Sequence, residues 1–542
     1  MNIEISLKDL KKLAGNIEIE KVQQYSKLEI AQSEDNLIVE VKDSNRPDLL
    51  SVEGIARELK GSLGKEKGLA KYTLNRSDFV LNAGNVGARS EIVCAVIKNI
   101  KLDDFAIKQI IQLQEKLCEG YGRKRKEAAV GIYDFDKIKW PILYKQANPD
   151  SVKFIPLEMN EELTLRQILA RHPTGRDYAK LLENESEYPL IIDSADEVLS
   201  MPPIINSNYS GKVTESTKNL FVEVTGFDRE KIMLALNIVI AALADRNGEI
   251  YSVTINKSGK KFASPEFKTK KKTLSVEDVN ERLGLNLSAA QIVSLLEKAR
   301  YSAKANKNKI EVETPFYRAD IIHTVDIIED IAIAYGYHNF SVEEPKIFTV
   351  GSTLEDTKLS NKVANLMAGL EFQEIMSFVM SNKEDLFKKM DLKEESIIEI
   401  ENPASQTYSG LRNWLLPSLM NMLSQNTTKN YPQKIFEIGN AVMLNEKSEV
   451  KSDTVPKFSA AIASNSANFT DIKQVLDYIM KNLGLEYEFV KSKHSSLIEG
   501  RCGEIIINKK KIGILGEVSP KVLSNWNIDV PVAVFEIDVS KI

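Results

Sequence analysis

Thr314 to Asn339 reads TPFYRADIIHTVDIIEDIAIAYGYHN, and this stretch decides how the chain is read. Ile321, Val325, Ile328, Ala332 and Tyr335 recur every three or four residues, which predicts one buried helical stripe with Asp320 as its N-cap. Asp326, Glu329 and Asp330 then share the opposite face. Like charges at spacings of three and four repel by roughly 0.2–0.5 kcal/mol per pair, so a cationic partner is expected. Hard oxygen ligands with no cysteine nearby suit Mg2+ or Ca2+ rather than zinc. A solvated acidic face, or arginine and lysine partners on a neighbouring chain, answers the same pattern.

The rest of the chain bounds the problem. With 542 residues, 43% of them apolar, it can bury several cores and should form three or four domains. A net charge of -5 argues against a uniformly basic nucleic-acid binder and leaves room only for local RNA-binding patches. Cys94, Cys118 and Cys502 are too few and too scattered for a disulfide framework or a thiolate metal site, which points to a reducing, cytoplasmic setting. The N-terminal MNIEISLKDLKKLAG is charged throughout, unlike a signal peptide. The most apolar run, Ile232–Ala244, is too short to span a bilayer and reads as a buried core helix, so no membrane partner is expected.

Residues 1–85 alternate strand-like runs with one helix, for which Asn45 is the expected N-cap, Pro47 lies in the first turn and Gly61 is the stop. A more hydrophobic mixed domain covers 86–256. KSGKKFASPEFKTKKK, 257–272, reads as a basic linker, lysine-rich and without apolar period. The carboxylate-bearing domain follows at 273–342, and 343–542 alternates helices and strands in a way that suggests an antiparallel sheet with flanking helices. The fold class expected is α+β, multidomain. No G-x-x-x-x-G-K-[ST] or G-x-G-x-x-G loop is present to grip a nucleotide.

PFYRADIIHTVDIIEDIAIAYGY resembles the signature of the small winged-helix-like domain in the beta subunit of phenylalanine–tRNA ligase. NRPDLLSVEGIAREL (45–59) is similar to that subunit's N-terminal signature, and GIYDFDKIKWPILY (131–144), HPTGRDYAKLL (172–182), MPPIINSNYSGKVTESTKNLFVEVTGFD (201–228) and FEIGNAV (436–442) follow in the family's order. The wording resembles the archaeal and eukaryotic type. The resemblance implies mixed α/β N-terminal and editing domains, and an alpha2beta2 heterotetramer acting on tRNA(Phe), with ATP and phenylalanine bound by the alpha subunit. It also implies Mg2+ shared with that subunit through Asp320, Asp326, Glu329 and Asp330.

The C-terminal region resembles the class II synthetase catalytic fold, yet KIFEIGNAV carries no ATP-gripping arginine and VAVFEIDV no glycine-rich stretch. A catalytically silent copy is the implication; Arg412, in SGLRNWLLPSL, is best read as a structural salt bridge. One activity is left to this chain by the resemblance. An apolar pocket rejects an isostere with an added hydroxyl by only about a hundredfold, short of the roughly 10⁴ that translation needs, so a second hydrolytic site is the usual remedy. That editing site would remove tyrosine from tRNA(Phe) and must read the phenol through a hydrogen bond, which suits Glu223 in the apolar run LFVEVTG. Asn206, Ser216, Thr217, Asn219 and Thr225 are candidate wall or water-positioning groups, and His172 a candidate to position water, bind phosphate or hold a loop. Without the resemblance, turn or sheet-edge roles suit all of these polar residues but Glu223. The alternatives are a non-catalytic tRNA-binding scaffold, a free-standing deacylase and a metal-dependent phosphodiesterase.

Overall fold

In the computed structural model, which describes residues 1–17, 23, 26–33, 36–43 and 45–542, Ser51 rather than Asn45 caps the helix expected to begin at Asn45. The Ser51 hydroxyl accepts from the Gly54 amide at 3.2 Å at the start of Val52–Ser62, while Pro47 sits in a separate 3-10 turn, Pro47–Leu49. Gly61 lies inside that helix and does not stop it. It is small because a Cβ there would stand 2.2 Å from the Lys298 carbonyl oxygen.

Two units divide the chain, Met1–Glu344 and Pro345–Ile542. In the first, strands Asn2–Ser6, Asn36–Val41 and Leu28–Ser33 form a three-stranded sheet, followed by two larger sheets. The five-stranded sheet runs Leu74–Asn75, Glu249–Tyr251, Glu91–Lys98, Leu220–Gly226, Ala128–Asp134. Leu220–Gly226 is buried at every position, and the apolar helix Arg229–Asp245 packs on it as a core helix should. The seven-stranded sheet ends in the antiparallel pair Val253–Lys257 and Lys260–Ser264, the second of which lies in the stretch expected to be a linker. Lys270–Ser275, which begins in that stretch, pairs with Lys309–Thr314, which pairs in turn with Ser302–Asn306 to make a second three-stranded sheet. The lysines hid these strands, since charged edge residues keep an exposed strand from pairing further.

Helices Val276–Leu283, Ala289–Lys298 and Thr324–Tyr335 surround that three-stranded sheet. Thr324–Tyr335 is capped by His323, not Asp320, in a capping box with Asp326. Ile327, Ile328, Ile331, Ala332 and Ala334 are buried, whereas Val325 is exposed and Asp330, expected outside, is buried.

The second unit is a seven-stranded sheet ordered Gln373–Glu374, Gln433–Leu444, Ser452–Ala463, Val532–Asp538, Lys510–Val518, Leu497–Ile507, Glu488–Lys491. Every pairing is antiparallel except the first. Arg412 pairs with Glu437 at 2.9 Å, both side chains 2% exposed, as a structural salt bridge should.

Candidate functional site

A cavity of about 400 Å³ opens between helix Asp104–Glu119 and the five-stranded sheet. The helix contributes Ile107, Ile110 and Ile111, the sheet Val130, Ile132 and Glu223, and Pro202–Ile205 closes one side. A volume and an apolar wall of this kind suit a small organic ligand held by a few polar groups. Glu223 is 3% exposed. Its Oε1 accepts from the Tyr133 hydroxyl at 3.0 Å, and its Oε2 is buried without a hydrogen-bond partner. Burial pushes the carboxyl up to about 7; the Tyr133 bond and the Arg89 charge pull against this without cancelling it.

His172 also lines the cavity. Its Nε2 is 3.1 Å from the Leu157 carbonyl, which can only accept, so Nε2 donates there and the buried Nδ1 is left without a partner. Asn206 is on the wall, its amide donating to Ile132 O at 3.3 Å. The other four polar candidates do not line the cavity. Ser216 contacts Thr214, Thr217 donates to Asp134, Asn219 donates to Asp136, and Thr225 accepts from Arg89 at 2.8 Å. These are turn and sheet-securing roles. Along Leu220–Gly226 alternate residues face opposite sides, but Thr225 shares the side of Glu223 and is taken by Arg89 before it reaches the cavity.

Several residues escaped the sequence reading. Arg125 lines the cavity and donates to the carbonyls of Pro203 and Ile204 at 3.2 and 2.7 Å. Ser200, buried with no hydrogen-bond partner, lies near enough to act on the Tyr133 phenol. Gly131 and Tyr133 stand in the quoted run GIYDFDK, but only the pairing register brings them to Glu223.

The four acidic residues of the opening stretch do not form a cage. Asp320 and Asp330 both take the guanidinium of Arg318, at 2.5 and 2.8 Å, and Asp330 also accepts from Tyr301. Asp326 accepts from the amides of Ile322 and His323 at 2.8 and 2.6 Å, and Glu329 pairs with Lys27 at 2.5 Å. Among the described residues no group of three or more His, Cys, Asp or Glu side chains is placed to hold a metal ion. The residues present therefore do not fit a divalent ion within this chain: Asp320 and Asp330 have a cation already, and the other two turn to different partners.

Three family models match this chain, and two of them are named for tRNA synthetases. The three are "Phenylalanyl tRNA synthetase beta chain CLM domain" over residues 342–539, "tRNA synthetase B5 domain" over 272–337 and "B3/4 domain" over 98–237. The chain is 44% identical to the phenylalanine–tRNA ligase beta subunit of Pyrococcus horikoshii, over 98% of each protein. It is 41% identical to that of Methanocaldococcus jannaschii, over 91% of this chain and 90% of the relative. A crystal structure of an N-terminal fragment of the Pyrococcus horikoshii beta subunit is similar with a TM-score of 0.60 and 40% identity, covering 62% of this chain and 99% of the fragment. The chain belongs to the phenylalanine–tRNA ligase beta-subunit family and is a subunit of an aminoacyl-tRNA synthetase.

Proposed function

We propose that this chain joins an alpha subunit in an alpha2beta2 phenylalanine–tRNA ligase, and that the cavity around Glu223 hydrolyses tyrosyl-tRNA(Phe). The observation that carries the editing reading is Glu223 Oε2, a buried acceptor with no partner on a residue that lines the cavity beside the isoleucines of helix Asp104–Glu119. A tyrosyl phenol can donate to it, whereas a phenylalanyl ring leaves it unpaired; a buried polar group left unpaired is what makes such a site discriminate. In the hydrolysis a water oxygen bonds to the ester carbonyl carbon, the carbon–oxygen bond to the ribose breaks, and the ribose oxygen takes up a proton. The cavity holds no Ser–His–Asp arrangement. An oriented water and a tRNA hydroxyl suit the step, with His172 Nδ1 as an acceptor nearby.

Adenylation of phenylalanine belongs to the alpha subunit in this reading, with ATP, phenylalanine and the Mg2+ that accompanies ATP bound there. The buried engagement of Arg412 with Glu437 supports a silent class II-like domain here, because that arginine is not free to grip phosphate. The three helices around a three-stranded sheet support the winged-helix-like reading of the module that carries the carboxylates. No helix among the described residues is long and apolar enough to cross a membrane. The test is deacylation of tyrosyl-tRNA(Phe) by the enzyme assembled with its alpha chain. Hydrolysis that Glu223→Ala removes supports the reading. Assembled enzyme that aminoacylates but never deacylates would leave this chain as a non-catalytic tRNA-binding scaffold.

A further inference from the structure

We propose that Tyr133 is the positioning residue of the Glu223 carboxylate, holding Oε1 so that Oε2 alone is presented to the phenol of a mis-attached tyrosine. The inference rests on the editing reading and goes beyond it by naming what aims the acceptor. A carboxylate on a free rotamer would offer either oxygen in many directions, and discrimination by one hydrogen bond requires a fixed one.

The pairing register builds the arrangement. Glu223 lies opposite Gly131 and Phe221 opposite Tyr133, on adjacent antiparallel strands. Directly opposed residues point to the same face, and residues two apart along a strand share it. Tyr133 therefore reaches Glu223 diagonally, across position 131. Only glycine leaves that path open: a Cβ on Gly131 would stand 2.3 Å from the Tyr133 hydroxyl oxygen and 2.4 Å from Glu223 Oε1. The Tyr133 ring is fully buried and held against Phe221 at 5.6 Å between centroids; Phe221 in turn meets Trp140 edge-on at 5.6 Å. The hydroxyl therefore has little freedom to leave the carboxylate.

The same contact governs when the acceptor is charged. Burial raises the carboxyl and the Tyr133 bond lowers it, so removing the hydroxyl raises it further. Tyr133 from the partner strand, Cys94 opposite on the other strand, Cys118 from the helix, and Arg89 and Tyr144 are the titratable or charged groups that face or act on Glu223. Glu115, Arg125, Glu158, His172 and Lys212 complete the charged or titratable lining of the cavity. Of all these, Tyr133 alone hydrogen-bonds the carboxylate.

The experiment uses the assembled enzyme and measures deacylation of tyrosyl-tRNA(Phe) and phenylalanyl-tRNA(Phe) against pH for wild type, Tyr133→Phe, Glu223→Gln, Glu223→Ala and the Tyr133→Phe/Glu223→Gln double variant. Tyr133→Phe keeps the ring and should leave thermal stability close to wild type. Its kcat/KM on the tyrosyl ester should fall about tenfold, the loss of a hydrogen bond's worth of aim, and the acid limb of its profile should move to higher pH. In the Glu223→Gln background, where no proton is left to titrate, adding Tyr133→Phe should not move the limb. A Tyr133→Phe enzyme with the wild-type rate and pH profile, alongside a Glu223→Ala enzyme that has lost tyrosyl deacylation, would overturn Tyr133 as the positioning residue and leave the editing reading standing. If Glu223→Ala also retained full activity, Glu223 as the acceptor of the phenol would fall together with Tyr133 as its positioning residue. A limb that still moved in the double variant would likewise reject action through Glu223.

Discussion

Arg318 donates through one guanidinium nitrogen to Asp330 at 2.8 Å, with its own side chain 2% exposed and that of Asp330 9% exposed. The same guanidinium meets Asp320, so two carboxylates of the opening stretch share one cation from within the chain, a residue two positions before the first of them. Removing one partner of a buried ion pair leaves an uncompensated charge, typically about 3–5 kcal/mol. Arg318→Ala should lower the unfolding free energy of the chain by that order. Adding Asp330→Asn to it should restore part of the loss, because one stranded charge is then gone. Urea unfolding of the three proteins decides it; an Arg318→Ala protein as stable as wild type would show that the pair contributes nothing.

Divalent ions should matter correspondingly little to this chain. Chelation is expected to leave its thermal midpoint unchanged, and calorimetric titration with Mg2+ should find no site at the carboxylates. Asp326→Asn keeps an acceptor for the Ile322 and His323 amides but loses the negative charge at the helix N-terminus, and should destabilise helix Thr324–Tyr335 by about 0.3–1 kcal/mol, where a merely repulsive acidic face would be relieved by the same change. A midpoint that dropped on chelation, or rose with Asp326→Asn, would reverse this account.

Sequence periodicity found the helix at Thr324–Tyr335 but not which carboxylate would be buried. Asp330 is inside because Arg318 and Tyr301 lie across from it, and both reach it from outside the helical stripe. The buried helix around Ile232–Ala244 and the strand around Glu223 were legible because each is apolar over most of its length. The strands within 257–272 were not, since pattern reading treats lysines as loop while an edge strand uses them for protection. At the cavity, Glu223 stood out as one charge in an apolar strand. Ser216, Thr217, Asn219 and Thr225 are candidates through the resemblance alone, and their turn and sheet-edge roles are what the residues suggest without it; Tyr133 and Gly131 reach the site through strand register, which a single sequence does not display.

Glu223 should leave a mark on stability as well as on activity. Its folded-state value of about 7 lies above the ordinary 4.5, so the folded protein holds this proton more tightly than the unfolded chain. Stability from this group is then full below 4.5 and is lost as pH rises through about 7, the loss amounting to about 3 kcal/mol. Glu223→Gln cannot ionise. Its thermal midpoint should match wild type in acid and exceed it above neutrality, and parallel pH dependences for the two proteins would contradict the raised value.

The decisive functional variant is Glu223→Ala. It removes the acceptor offered to the phenol, and a hydrogen bond to a charged group is worth about 1.5–3 kcal/mol, so tyrosyl-tRNA(Phe) hydrolysis by the assembled enzyme should fall roughly ten- to a hundredfold. Phenylalanylation, measured on the same preparation, separates the causes. If the adenylation site lies in the alpha subunit, its rate should hold while deacylation collapses, and tyrosine should accumulate on tRNA(Phe). Equal loss of both activities would mean that Glu223 supports the fold rather than reads the phenol. Unchanged deacylation would mean that a different group in the cavity accepts the hydroxyl, and His172, whose Nδ1 is buried without a partner, would be the next residue to replace.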